Sequence, residues 1–376
     1  MITSPLTYIF TLAFSATAFA LLEQKTNLKI FKYIPAVVMI YAYTMFLASV
    51  GFFDSNKEIN AIYILAKTNL LPAMLFLMLL QIDLRHFLRL GKRVTFAYVA
   101  AVLSLMISFI VVSYLFAFDR DMAAAFGALA GSWMGGTANM IAVGSALGVN
   151  QEAFGFALVV DSVNYTLWVM LLLFIVPFAA AFNRFAKSEA NFASVSTIGC
   201  ACNMGAKRYW LLIFLALLIS LVSQLLASYI EFLNSTTTVV LLATIFGVIG
   251  SFTRLKNLNG TNEVATSMLY LLVALIGSRA IFESFSELGV YVFAGFCILI
   301  LHGVLMVFAA KLWKLDLFSI TVASLANIGG VASAPVLAAA YDKSLVGIGV
   351  IMAIMGYLIG TFGGLIVGNI LIGITQ

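Results

Sequence analysis

Residues 131–140 read GSWMGGTANM and residues 324–335 read SLANIGGVASAP, so a glycine pair, Gly135-Gly136 or Gly329-Gly330, breaks an apolar segment in each half of the chain. Paired breaks of this kind are the sequence mark of a secondary transporter's binding site, where short half-helices meet near the middle of a bilayer. Unwound backbone survives at membrane depth only where protein or a watery cavity satisfies its N–H and C=O groups. Two such breaks therefore imply a shared polar centre.

Composition fixes the solvent. Of 376 residues, 63% are hydrophobic and 9% charged, against about 25% charged in soluble domains, which makes the chain an integral membrane protein. Long apolar runs exclude a β-barrel, whose strands alternate lipid-facing and lumen-facing residues, and require an all-α polytopic bundle. The net charge of +5 belongs to loops and implies no nucleic-acid partner. The first apolar stretch, Pro5 to Leu22, has no basic residue before it and no clear cleavage site, and reads as a retained span. Cys200, Cys202 and Cys297 are too few for a disulfide framework or a zinc site.

At roughly twenty residues per crossing, spans fall near residues 5–22, 33–53, 61–82, 95–118, 152–182, 209–230, 237–253, 264–282, 289–310 and 344–373. The two broken segments, about 122–149 and 317–342, are each long enough for one interrupted crossing or for a hairpin that dips in and returns. The 194 residues separating Gly135 from Gly329 also separate Met74 from Met268, Arg85 from Arg279, Ala100 from Ala294 and Gly155 from Gly349. This constant offset divides the chain into a first half, 1–182 with its core part at 61–182, a connector, 183–208, and a second half, 209–376 with its core part at 264–376.

Orientation follows from basic residues in short loops. Lys25, Lys29, Lys32, Arg85, Arg89, Lys92, Arg93, Arg184, Lys187, Lys207, Arg208, Arg254, Lys256, Lys311 and Lys314 belong inside, whereas the loops of Lys57, Arg120 and Arg279 belong outside. Both termini are then outside, provided that each broken segment makes no net crossing. Five crossings per repeat also invert the second half relative to the first. Charge and parity agree on an inverted-repeat fold of about ten spans plus two glycine-broken segments.

Asp161 is the sharpest candidate residue. It lies about nine positions into its span, near the midplane, where an acid is by default functional. Asn164 and Tyr165 follow at i+3 and i+4, so DSVNY offers a carboxylate, an amide and a phenol to one cavity, suited to a sodium ion or a titrating proton. A protonated, structurally bonded Asp161 is the competing explanation. At the breaks, Gly135, Gly136, Gly329 and Gly330 let a ligand approach backbone N–H groups, and the following helix starts present donors to an anion. Ser132, Thr137, Asn139, Ser324, Asn327 and Ser333 add uncharged hydrogen-bonding groups, a lining that suits a carboxylate. Close helix packing is the ordinary use of a lone glycine pair. Arg85 and Arg279 sit near span ends, where snorkelling explains them. Lys67 and Asp83 share that ambiguity, His86 is in a loop, and His302 is expected to be a bonded structural group.

Enzyme readings are thin. An intramembrane aspartyl protease needs two embedded acids and only Asp161 qualifies; Ser132 and His302 are the nominal serine protease pair, with no spacing to recommend them. HExxH, P-loop and Rossmann signatures are absent.

At GSWMGGTANMIAVGSALGV (131–149), followed by the Asp161 span, the chain resembles a family of bacterial and plastid membrane proteins of unknown function, often called YjcL-like, over nearly its whole length. That family looks like a distant branch of the superfamily of cation:proton antiporters and of bile-acid, glutamate and 2-hydroxycarboxylate symporters, which implies inverted repeats with broken segments crossing near the substrate. The hydroxycarboxylate transporters carry GGxG motifs at hairpin tips. Here they read GGTA and GGVA, which weakens any carry-over of citrate-like specificity. Antiporters of the group often place two acids side by side, whereas Asp161 has no acidic neighbour.

The resulting expectation is a secondary transporter for a small carboxylate-bearing solute, coupled to Na+ or H+ through Asp161, with elevator-like alternating access. It has no further cofactor, no resident metal beyond Na+ at Asp161 and no enzymatic activity. It is expected in the inner membrane as a multi-pass homodimer whose partners are the solute and the bilayer. A cation:proton exchanger or channel without organic substrate is the alternative, and an intramembrane enzyme a remote one.

Overall fold

The computed structural model describes residues 1–25, 36–80, 91–188, 205–230, 235–280, 288–342 and 345–375. Lys29, Lys32, Asp83, Arg85, His86, Arg89, Cys200 and Cys202, and most of the connector, lie outside the described residues.

The chain folds into helices α1 (Pro5–Lys25), α2 (Ala36–Ser49), α3 (Lys57–Leu79), α4 (Lys92–Phe116), α5 (Arg120–Gly135), α6 (Thr137–Leu147) and α7 (Gln151–Ile175). A short α8 (Ala179–Ala186) follows, and then α9 (Ala206–Ala227), α10 (Ser235–Ser251), α11 (Thr261–Gly277), α12 (Leu288–Trp313), α13 (Leu317–Ile328), α14 (Gly330–Tyr341) and α15 (Val346–Ile374). Seven of these are long and apolar enough to cross a membrane: α1, α3, α4, α7 with its extension through α8, α9, α12 and α15. The helices α2, α10 and α11 are shorter but equally apolar. Among the described residues there is no strand beyond an isolated bridge between Ile2 and Phe53. α13, α14 and α15 begin 197, 193 and 195 residues after α5, α6 and α7, so the offset read from the glycine pairs recurs in the elements themselves.

Both broken segments are helical hairpins. In the first, side chains face each other across the turn as Ala128 with Gly144 and Gly131 with Val143, and a Cβ added at Gly127 would meet Leu147. That antiparallel pairing is incompatible with one continuous, interrupted crossing. Its arms of 16 and 11 residues reach only about 24 and 16 Å at 1.5 Å per residue. In the second, the Phe318 and Tyr341 rings sit 5.5 Å apart, and the Thr321 and Tyr341 hydroxyls 3.0 Å apart. Each hairpin starts at an aspartate N-cap: Asp119 accepts from Met122 N–H, and Asp316 from the N–H and hydroxyl of Ser319.

The hairpins enter from opposite ends of the bundle. α4 and α12 run antiparallel, with Phe116 on Phe293 at one end and Phe96 on Trp313 at the other. The first hairpin leaves the end of α4 and the second leaves the end of α12, so their bases lie on opposite faces. This is the inverted repeat.

α15 presses against the first hairpin through a ladder of glycines. A Cβ placed on Gly127 would lie 2.6 Å from Gly368 Cα, one on Gly364 2.7 Å from Gly131 Cα, and one on Gly360 2.6 Å from Gly135 Cα. Glycines four residues apart on both helices remove every side chain from this seam and let the backbones touch, which is how membrane helices gain packing energy without a hydrophobic effect.

Candidate functional site

The two hairpin tips come together on α7. Asp161 lies ten residues past the start of that helix, about 15 Å along its axis. One carboxyl oxygen accepts from the Ser132 hydroxyl at 2.8 Å and the other from the Trp133 indole N–H at 2.9 Å. Ser132 and Trp133 occupy the last turn of α5, just before its tip. One turn further along α7, the Tyr165 ring lies against Gly329 at the second tip, 2.5 Å from where a Cβ there would stand. On the far side, Tyr357 of α15 reaches Gly136 of the first tip. The arms α5 and α13 also touch.

Glycine is required at one position of each tip. Gly136 has φ +84° with ψ 171°, and Gly330 φ +61°, positive-φ backbone that glycine adopts freely and residues with a Cβ rarely do. The helix starts that follow, at α6 and α14, have no side-chain cap, so their first N–H groups lack an intrahelical partner. Gly136, Thr137, Gly329 and Gly330 are half-buried, neither packed away nor on an open surface.

The residues singled out in the sequence are sorted by this geometry. Asp161, Ser132, Tyr165, Gly136, Thr137, Gly329, Gly330, Asn327 and Ser333 lie at or beside the tips. Asn139 is turned inward as a brace: its amide donates to Gly135 C=O at 2.5 Å, and its oxygen accepts from Thr361. Gly135 is buried in the glycine ladder and serves packing. Asn164 does not share the Asp161 face, because its amide donates to Val292 C=O on α12 at 3.2 Å. There it borders a 530 Å³ groove lined otherwise by Leu167, Leu288, Gly289, Val292, Phe293 and Phe296, an apolar lateral surface. Residues i+3 and i+4 lie 100° apart on a helix, so only Tyr165 follows Asp161 toward the tips.

Ser324 is also elsewhere. It accepts from the Trp168 indole at 2.9 Å and pairs with His302 Nε2 at 2.8 Å, while His302 Nδ1 pairs with Ser104 at 2.7 Å. Ser104 Oγ also lies 2.9 Å from Ala101 C=O. Every member of the chain Trp168, Ser324, His302, Ser104 is satisfied, which makes it a structural tie among α7, α13, α12 and α4. Arg279 does not snorkel outward: its guanidinium lies 5.0 Å from the Tyr63 ring and 5.8 Å from the Tyr8 ring.

Trp133 and Tyr357 were not singled out in the sequence. Trp133 sits inside the quoted GSWMGG motif, but a tryptophan in an apolar segment reads as bulk until its N–H is seen to have an acceptor. Tyr357 lies in the second half, two positions short of the residue that the 194 offset pairs with Tyr165. Among the described residues, no cluster of His, Cys, Asp and Glu could hold a metal ion.

No curated protein matches the chain. The family described as "Protein of unknown function (DUF819)" matches residues 10–374, nearly the whole length, and the protein belongs to that family.

Proposed function

We propose that this protein is a secondary active transporter of a small carboxylate-bearing solute, coupled to H+ or Na+ through Asp161. The observation that carries the reading is the meeting of two oppositely inserted hairpin tips on one helix, with a mid-span acid within one turn of both. A bilayer-spanning protein has little structural use for such an arrangement. Non-helical backbone at that depth is expensive unless it lines a cavity, and an acid there marks an ion or proton pathway. The uncapped starts of α6 and α14 point donors and positive dipole ends toward the centre, which suits an anionic group. The motif resemblance to symporters with broken segments agrees with this. The hairpins, α4, α7, α12 and α15 would form the moving core, and α1 to α3 with α9 to α11 the static wall.

A cation:proton exchanger would use the same acid without the uncapped helix starts. The two are separated by a thermal-stability screen of the purified protein against organic acids, amino acids and peptides, with and without sodium, at two pH values. A transporter gains stability from at least one carboxylate, and Asp161→Asn abolishes the ion or pH dependence of that gain. If the ion and pH dependence of the solute's stabilising effect persists unchanged in Asp161→Asn, whatever sodium does without solute, the acid is structural and the coupling assignment fails. An exchanger shows cation and pH effects with no solute effect at all.

A further inference from the structure

At the first tip the buried polar side chains of Ser132, Trp133 and Asn139 are engaged, Ser132 and Trp133 on Asp161 and Asn139 on Gly135 and Thr361, while half-buried Thr137 stands beside them. The second tip differs. Asn327 and Ser333, two residues before and three residues after the Gly329-Gly330 pair, are 0% and 6% exposed, yet Asn327 Oδ1 and Ser333 Oγ have no hydrogen-bond partner among the described residues. The orientation of the Asn327 amide is fixed, because its Nδ2 donates to Ala323 C=O at 2.9 Å. The free atom is therefore an oxygen. Under the repeat offset these two residues occupy the positions of Trp133 and Asn139, so an engaged pair in one half faces an unengaged pair in the other. Leu325 C=O accepts from Gly329 N–H at 2.8 Å, and the carbonyls after it stand at the helix end, where C=O groups have no intrahelical partner as a rule. The Ser333 hydroxyl crowds Gly329, since a Cβ there would overlap it.

We propose that the tip of the second hairpin is a monovalent cation site, with Asn327 Oδ1, Ser333 Oγ and the terminal carbonyls of α13 as ligands, distinct from the Asp161 clamp. Buried oxygens left without a donor cost free energy, and a hard cation satisfies several at once. The donor set is oxygen only and uncharged, because the position equivalent to Asp161 is Met355. A divalent ion is bound through carboxylates and would be poorly held here, whereas sodium suits such a site. The inference rests on the transport reading and gives it a second, separable ion position.

The test is the melting temperature of the purified full-length protein titrated with sodium chloride against choline chloride at constant ionic strength. Sodium is expected to stabilise the wild type, Asn327→Leu and Ser333→Ala to weaken the half-saturating sodium concentration by about tenfold or more, and Asp161→Asn to retain it. Asn327→Asp adds an anionic oxygen, so it should strengthen cation binding and admit calcium; it also guards against misreading a folding defect. The inference is overturned if the wild type shows no sodium effect, if the effect survives in both tip variants, or if Asp161→Asn alone removes it. That last outcome leaves the transport reading standing. Sodium binding without stabilisation by any solute would keep this site and sink the transport of a carboxylate.

Discussion

At the scale of single residues, the site is an economy of donors around few acceptors. Asp161 holds one donor on each oxygen, and a buried hydrogen bond to a carboxyl group is worth about 0.5–3 kcal/mol, most when the group is ionised. Ser132→Ala and Trp133→Phe should each lower stability by an amount of that order and weaken whichever ion dependence Asp161 confers. Thermal unfolding in detergent, with and without the coupling ion, checks both; if neither variant alters the ion dependence, the clamp holds the fold and not the ion. His302 makes a separate prediction. His302→Leu takes one partner from each of the buried hydroxyls of Ser104 and Ser324, leaving them Ala101 C=O and the Trp168 indole; lost bonds at buried groups cost about 1–3 kcal/mol, so a fall in melting temperature is expected, while His302→Gln, which keeps an acceptor and a donor, should recover part of it. Equal losses in the two variants would mean that ring volume, not hydrogen bonding, is what the position needs.

At the scale of elements, the first hairpin is held by backbone contact. Gly360→Ala and Gly364→Ala each insert a methyl group where the α5 backbone stands under 3 Å away, at Gly135 and Gly131, and overpacking of a tight core costs about 1–3 kcal/mol. Both variants should melt earlier than wild type, whereas Gly148→Ala, at the hairpin base with open space around it, should show only the smaller backbone penalty of its left-handed φ. A melting temperature unchanged in Gly364→Ala would show that the seam can part. These elements also show what was legible beforehand. The glycine pairs and Asp161 stood out because polar or flexible residues are rare in an apolar background, and they mark the hairpin turns and the helix that receives them. The ladder was present as glycines at intervals of four, at 127, 131 and 135 and at 360, 364 and 368, but spacing on one helix does not say which other helix it meets. Asn164 and Ser324 show the converse. Their chemistry was visible, yet a rotation of 100° or a single turn of helix decides whether an amide or hydroxyl meets the tips or a neighbouring helix, and that rotation is set by packing with distant partners such as Val292 and His302.

At the scale of the whole molecule, the inverted repeat makes a prediction that no single site can. Because α4 and α12 are antiparallel, the base of the first hairpin, between Asp119 and Asn150, and the base of the second, between Lys314 and Asp342, must face different compartments. By the loop charges the first base is expected outside, since the second follows Lys311 and Lys314. Single cysteines at Asn150 and at Lys314, in a background from which Cys200, Cys202 and Cys297 have been replaced by serine, should therefore label asymmetrically in intact cells: Asn150→Cys with a membrane-impermeant maleimide added outside, Lys314→Cys only after permeabilisation. The reverse pattern would keep the fold and invert its orientation. Labelling of both from one side would contradict the antiparallel pairing of α4 and α12, and with it the argument that the two tips approach Asp161 from opposite faces.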